Sequence, residues 1–176
     1  MWLRRWLNRE PDADVAPDAE ADEAALELRR QALTMTAADA GMAPNAVHTD
    51  VWGMVMETGY PEAVATLVAL GDGTTSLYLS TGGGVIGAGA FPAVRAAAET
   101  FLAVAARHLD AFEPAASAPL PAVGRVRFYA RTFGGTLTAE DEPAALADEA
   151  HPLAPVFQAG QAVLTVVREV STRRPA

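Results

Sequence analysis

Between Ser76 and Phe91 the chain reads S-L-Y-L-S-T-G-G-G-V-I-G-A-G-A-F, a strand-like stretch that runs into five glycines. No other segment restricts the backbone so tightly by composition alone. Glycine reaches positive φ without a Cβ clash, and it lets backbone N–H groups approach a bound group or a neighbouring chain closely. The segment is therefore a turn or crossover with something packed against it. The residues after Phe91 have the pattern of a long helix.

In that helix Phe91, Val94, Ala98, Phe101, Leu102, Ala105, Leu109 and Phe112 recur at helical spacing, while Arg95, Glu99, Arg107 and Asp110 lie mainly elsewhere. The spacing predicts a core-facing amphipathic helix. Upstream, Val51 to Thr58 and Ala63 to Leu70 are apolar on both faces, as buried central strands are. Gly71-Asp72-Gly73 then turns the chain back into Thr74 to Ser80, a hairpin signal.

Downstream of a Pro/Ala loop, Val126, Phe128 and Ala130 alternate with Arg125, Arg127, Tyr129 and Arg131, so this strand buries one face and carries a basic row on the other. Gly134-Gly135 is a turn and Thr136 to Thr138 a short strand; Thr138 with Asp141 has the spacing of a capping box for an acidic helical turn. From Leu153 the apolar spacing fits a helix, although the β-branched residues over 162–170 also suit a strand. The helix is preferred, with Gly160 allowing close approach to the sheet. Near the N-terminus, Glu23 to Met42 is helical in composition. Leu26, Leu33 and Ala40 form one line on it and Leu28, Met35 and Met42 another, so more than its own sheet is expected to cover it, a second chain being one candidate.

The expected fold is α+β: a single domain over 23–171 with a five-stranded, mainly antiparallel sheet covered by three helices, in the order helix, three strands, helix, two strands, helix. Residues 172–176 form a tail. From Ala24 to Val170 this element order resembles the roadblock, longin and profilin-like group of small domains, which have a central antiparallel sheet, helices on its faces and frequent dimerisation. The early hairpin and the glycine run depart from that pattern. The string from Gly71 to Gly89 also resembles uncharacterised bacterial proteins of similar length. Neither resemblance carries functional residues over, and what the first implies is a homo-oligomer.

Ahead of the domain, Met1 to Arg9 places Trp2, Leu3, Trp6 and Leu7 on one side of a helix and Arg4, Arg5 and Arg9 largely on another. Such a segment suits a partner, a membrane interface, or its own domain. Glu10 to Asp22 reads as an acidic Pro/Asp/Ala linker. A net charge of −9 argues against nucleic acid as a partner, since neutralising phosphates needs a basic surface. The chain has no cysteine, and all thirteen basic residues are arginine. Thiolate chemistry, Schiff-base lysines and the phosphate-contacting lysine of a P-loop are thereby excluded. No apolar run has the length of a membrane span, and a cytoplasmic protein is expected.

Two features can carry a ligand. Ser80, Thr81, Gly82, Gly83, Gly84 and Gly87 form the glycine-rich connection, and Arg125, Arg127 and Arg131 form the basic row around Tyr129. Backbone N–H groups with guanidinium forks suit an anion, a carboxylate ligand or an acidic peptide. Gly82, Gly84 and Gly87 satisfy G-x-G-x-x-G, but the helix starts late and no parallel strand follows promptly, so a dinucleotide site is not expected. Ser80 lacks a base fixed beside it, and His48 with Asp50 supplies only two metal ligands where three or four are needed. Neither a metal nor a cofactor is expected. The leading reading is a non-enzymatic cytoplasmic interaction or regulatory module, homodimeric and open to a protein partner. The alternative is a small anionic-ligand-binding protein or enzyme using Ser80 to Gly89 and the arginine row.

Overall fold

The computed structural model describes residues 19–172, with side chains from Glu23 onward. The Met1 to Arg9 segment, the linker before Ala19 and the tail after Thr172 lie outside the described residues. The elements are α1 (Ala19–Thr34), β1 (Val51–Gly59), β2 (Val64–Leu70), β3 (Thr75–Leu79), β4 (Gly84–Val85), α2 (Pro92–Ala106), β5 (Glu113–Pro114), β6 (Val126–Thr132), β7 (Gly135–Asp141), α3 (Pro143–Leu146) and α4 (Ala154–Thr172). Short 3-10 turns at Ala88–Ala90 and Leu109–Ala111 flank α2.

The architecture is α+β. Its strands form one antiparallel sheet in the order β4-β3-β2-β1-β6-β7-β5. Five strands and three helices were expected, and the described residues contain seven and four. The extra strands, β4 and β5, are two residues long and sit at the two edges, and the extra helix, α3, is a single turn. Shortness hid the two strands from periodicity, yet they matter to the sheet, whereas α3 falls in the stretch expected to hold an acidic helical turn. An open strand edge templates pairing with other chains, and here each long outer strand is partly covered, β5 adding a proline that cannot donate.

One sheet face packs on α2 and α4. Met54, Met56, Leu67, Phe128 and Ala130 meet Val94, Phe101 and Leu102 of α2 and Val156, Val163 and Val167 of α4. The ambiguous stretch 162–170 is helical. A Cβ at Gly160 would stand 2.6 Å from Sδ of Met56, so the missing side chain sets the distance of α4 from the sheet, as expected. The β-branched residues are accommodated because this helix has an apolar stripe on the core, where packing outweighs a few tenths of a kcal/mol of propensity.

The opposite face, with Trp52, Val55, Val68, Leu70, Tyr78 and Tyr129, lies under α1 and residues 35–42. Here two boundaries differ from expectation. The helix begins at Ala19, inside the stretch read as linker, and ends at Thr34 rather than Met42. Thr36 and Asp39 explain the stop: the Asp39 carboxylate accepts from both the N–H and the hydroxyl of Thr36, at 2.8 and 2.7 Å, while the Thr36 hydroxyl accepts the N–H of Asp39. That local turn competes with helical hydrogen bonds. Thr138 likewise does not cap a helix. It lies within β7 opposite Tyr129, and the helical turn starts at Pro143, with Glu142 before it.

Candidate functional site

The basic row of β6 does not face solvent. It faces α1 and the loop before β6, and Tyr129 and Arg131 are buried. Arg131, near the end of the strand, donates to the carbonyls of Ala32 (2.8 Å) and Met35. These are carbonyls at the C-terminal end of α1, which lack helical partners and carry the negative end of the helix dipole. The same guanidinium stacks over the Trp52 ring, 4.9 Å from its centroid. The Trp52 ring is held in turn by an indole N–H bond to Thr132 O at a bulge in β1. Burial lowers the Arg131 pKa from its ordinary value.

Further along the row the charges are paired. Arg127 Nη2 lies 2.6 Å from Glu140 of β7, and its Nη1 donates to Pro119 O at 2.9 Å. Arg125 faces Glu140, Asp141 and Glu142 at 3.2, 3.8 and 3.6 Å. The Tyr129 hydroxyl donates to the same Pro119 carbonyl at 2.8 Å. Burial raises its pKa, and the neighbouring Arg127 works in the opposite direction.

The centre of this polar layer is Glu57 of β1, with no solvent exposure. Its neighbours in register are Thr66 on β2 and Arg127 on β6. From α1, Arg29 binds both carboxylate oxygens, with Nε–Oε1 at 2.6 Å and Nη2–Oε2 at 2.8 Å. The Thr66 hydroxyl donates to Oε1 at 3.0 Å. Arg29 also donates to Ala118 O and Pro119 O, so one guanidinium joins α1, the sheet and the preceding loop. Burial opposes its charge, but the bonded Glu57 more than offsets this and the Arg29 pKa is raised. Tyr78 is buried on the same face, and its hydroxyl has no hydrogen-bond partner among the described residues. Burial, with the Glu57 charge adding to it, raises its pKa strongly.

The glycine-rich connection lies elsewhere. Leu79 pairs with Ala65, Thr58 with Ala65, and Thr58 with Val126, so two strands separate the end of β3 from the arginine row. Three strand spacings are about 14 Å. Arg131 stands at the far end of the sheet, opposite Gly53. The proposed combination of Ser80 to Gly89 with the three arginines is therefore not a single site. Ser80 Oγ accepts the N–H of Val64 at 2.9 Å, and Gly82, Gly83, Gly84 and Gly87 all have φ between 72° and 146°. Gly82 and Gly83 belong to the tight β3–β4 turn, in which Gly82 N–H donates to Leu79 O and Leu79 N–H to Gly83 O, while Gly84 opens β4 and Gly87 follows it. A Cβ at Gly84 would lie 2.2 Å from the Leu77 carbonyl oxygen, so the close approach inferred from sequence is to the chain's own β3. Ser80 and Thr81 are the central residues of the Leu79–Gly82 turn.

The histidines are dispersed among three structural settings. His48 is buried near Gly71, His108 Nδ1 meets Val104 O at 2.9 Å, and His151 Nε2 meets Asp141 at 3.1 Å. Among the described residues no group of three or more His, Cys, Asp or Glu is placed to hold a metal ion.

Sequence reading singled out the arginine row but missed Arg29, Glu57, Thr66 and Tyr78. A signal for Glu57 was present: it is the one charged residue in the otherwise apolar V-W-G-M-V-M-E-T-G strand. A charge in a strand buried on both faces demands a partner.

No family model, curated protein or solved structure matches the chain. No helix among the described residues is long and apolar enough to cross a membrane.

Proposed function

We propose that this chain is a non-enzymatic cytoplasmic interaction or regulatory module that acts as a homodimer. One observation carries the reading: each arginine of the row is engaged by carboxylates or carbonyls of its own chain. An anion entering there would have to displace bonds that hold α1 and the Pro119 loop to the sheet. Those bonds already occupy the guanidinium groups, which makes the row structural machinery and a poor ligand receptor.

One surface suited to association is on α1. Ala25 and Ala32 are buried against the sheet, while Leu26 and Leu28, on opposite flanks of the helix, are 47% and 36% exposed. A second helix laid along one flank would cover one of these leucines.

Light scattering at micromolar concentration tests this. The expected mass is twice the 18.4 kDa of one chain, and Leu26→Glu with Leu28→Glu should give the monomer while leaving the thermal transition in place. A wild-type chain that is monomeric throughout the concentration range rules the dimer out.

A further inference from the structure

The end of the sheet at Gly59 carries a cleft of about 470 Å³ that the polar layer does not use. Tyr60, Pro61, Val123, Val126, Phe157 and Gln161 line it, so its walls are mostly apolar and partly aromatic. Val123 on its rim is 64% exposed. The cleft is built by close backbone packing: a Cβ on Gly59 would stand 2.1 Å from Ala122 O, and Gly59 N–H and O bond Arg125 O and Gly124 N–H.

The described chain begins at this same end of the sheet, on the face opposite α4. Arg131 bonds carbonyls at positions 32 and 35 of the chain, whereas Arg29 bonds Glu57. Descending residue numbers in α1 therefore run toward Gly59. From Arg29 back to Ala19 the helix rises about 15 Å, and from Glu57 to Gly59 the strand advances only about 7 Å. That carries Ala19 past the end of the sheet. The nine or so linker residues before it reach at most about 30 Å, enough to bring Met1 to Arg9 to the cleft.

We propose that the cleft receives the Trp2 to Leu7 segment of the same chain. The chemistry matches on two counts. Trp2, Leu3, Trp6 and Leu7 supply apolar bulk for Tyr60, Val123 and Phe157. Arg4, Arg5 and Arg9 find exposed Glu62, which follows Pro61 of the lining, whereas Glu142 beside Pro143 is already faced by Arg125. Tryptophan and arginine are the side chains that most often dominate a small interface. The acidic linker between segment and helix acts as a tether that raises the local concentration of the segment at the cleft.

The chain has no cysteine, so an introduced pair reports cleanly on proximity. The test uses the full-length chain carrying Asn8→Cys with Gln161→Cys and, as a second pair with its partner on an exposed loop, Asn8→Cys with Val123→Cys. Disulfide formation in a glutathione buffer gives the effective concentration of one thiol at the other. The expected result is an intramolecular disulfide whose effective concentration falls at least tenfold when Trp2→Ser and Trp6→Ser are added. Those changes leave the tether length as it was. Val123→Glu in the Gln161 pair should produce a similar fall. An effective concentration that ignores the tryptophans overturns the proposal, because the tether alone would then account for the bond. A disulfide that forms between chains also overturns it, in favour of a second copy's segment in the cleft.

Discussion

Arg29 of α1 grips both oxygens of Glu57, a carboxylate on the central strand β1 with no exposure to solvent. The pair sits in a face whose other large members are Trp52, Val55, Tyr78 and Tyr129. Among its described side chains, α1 places alanines, Ala25 and Ala32, as its buried apolar contacts with that face. Beside these alanines and partly buried Leu33, charges fix the helix: Arg29 reaching down near its middle, and Arg131 reaching up to carbonyls at its end.

Removing one half of this pair should be far worse than removing both. Arg29→Ala leaves Glu57 buried with Thr66 alone, and a buried charge stripped of its partner costs roughly 3–5 kcal/mol. Arg29→Met with Glu57→Leu replaces the pair by apolar bulk and should recover most of that loss. Urea unfolding of the two variants measures the difference. If Arg29→Ala costs less than about 1 kcal/mol, the pair does not anchor the helix.

Tyr78 should behave in the opposite sense. Its hydroxyl is buried without a partner among the described residues, so Tyr78→Phe removes an unsatisfied group and should be neutral or stabilising. The phenol also sets an alkaline limit. Its folded pKa is raised, so its contribution is complete below the unfolded value of about 10 and is lost as pH rises through and above it. Melting temperatures from pH 8 to pH 11 should fall less steeply for Tyr78→Phe than for the parent. Equal slopes would show that other groups set the limit.

The elements legible in the sequence are those whose side chains repeat with a backbone period. The two-faced apolar runs of β1 and β2, the Gly-Asp-Gly hairpin and the stripe of α2 from Val94 to Ala105 fall where the spacing puts them, whereas Leu109 and Phe112, expected on the same stripe, lie beyond the helix end at Ala106. What was not legible depends on partners distant in sequence. Period-two spacing places Arg127 and Arg131 on one face, but nothing local says that α1 and Pro119 lie over that face. The edge strand Gly84–Val85 is too short to have a period and exists because β3 offers Leu77 and Tyr78 for pairing. The Thr36–Asp39 turn was in principle readable, since both residue types favour local side-chain bonds over helix.

Within the glycine run, substitutions should separate backbone conformation from crowding. Gly83 has φ +81° and nothing within 4 Å of an added Cβ, so Gly83→Ala carries only the conformational cost, about 1–2 kcal/mol. Gly84 has φ +146° and its Cβ would meet backbone atoms of β3, the nearest at 2.2 Å. Gly84→Ala should therefore cost clearly more and detach β4. Hydrogen exchange at Val85, whose strand pairs Leu77, reads that detachment directly. Comparable costs at the two positions would mean that β4 contributes little to closing the edge.

Ser80 and Arg127 decide between structural machinery and a ligand site. The Ser80 hydroxyl accepts the Val64 N–H, and Arg127 joins Glu140 to the Pro119 loop, so each is in use without any ligand. Ser80→Ala and Arg127→Ala should each cost about 1 kcal/mol, lowering the melting temperature of a chain this size by roughly 2–4 °C. A ligand site would add a second signature, because a bound molecule raises the melting temperature in proportion to its occupancy. In a thermal-shift screen of nucleotides, inorganic phosphate and small carboxylates, the parent chain is expected to show no concentration-dependent rise. A reproducible rise that either variant abolishes would return the glycine turn or the arginine row to the status of a binding site, and the interaction reading would fall with it.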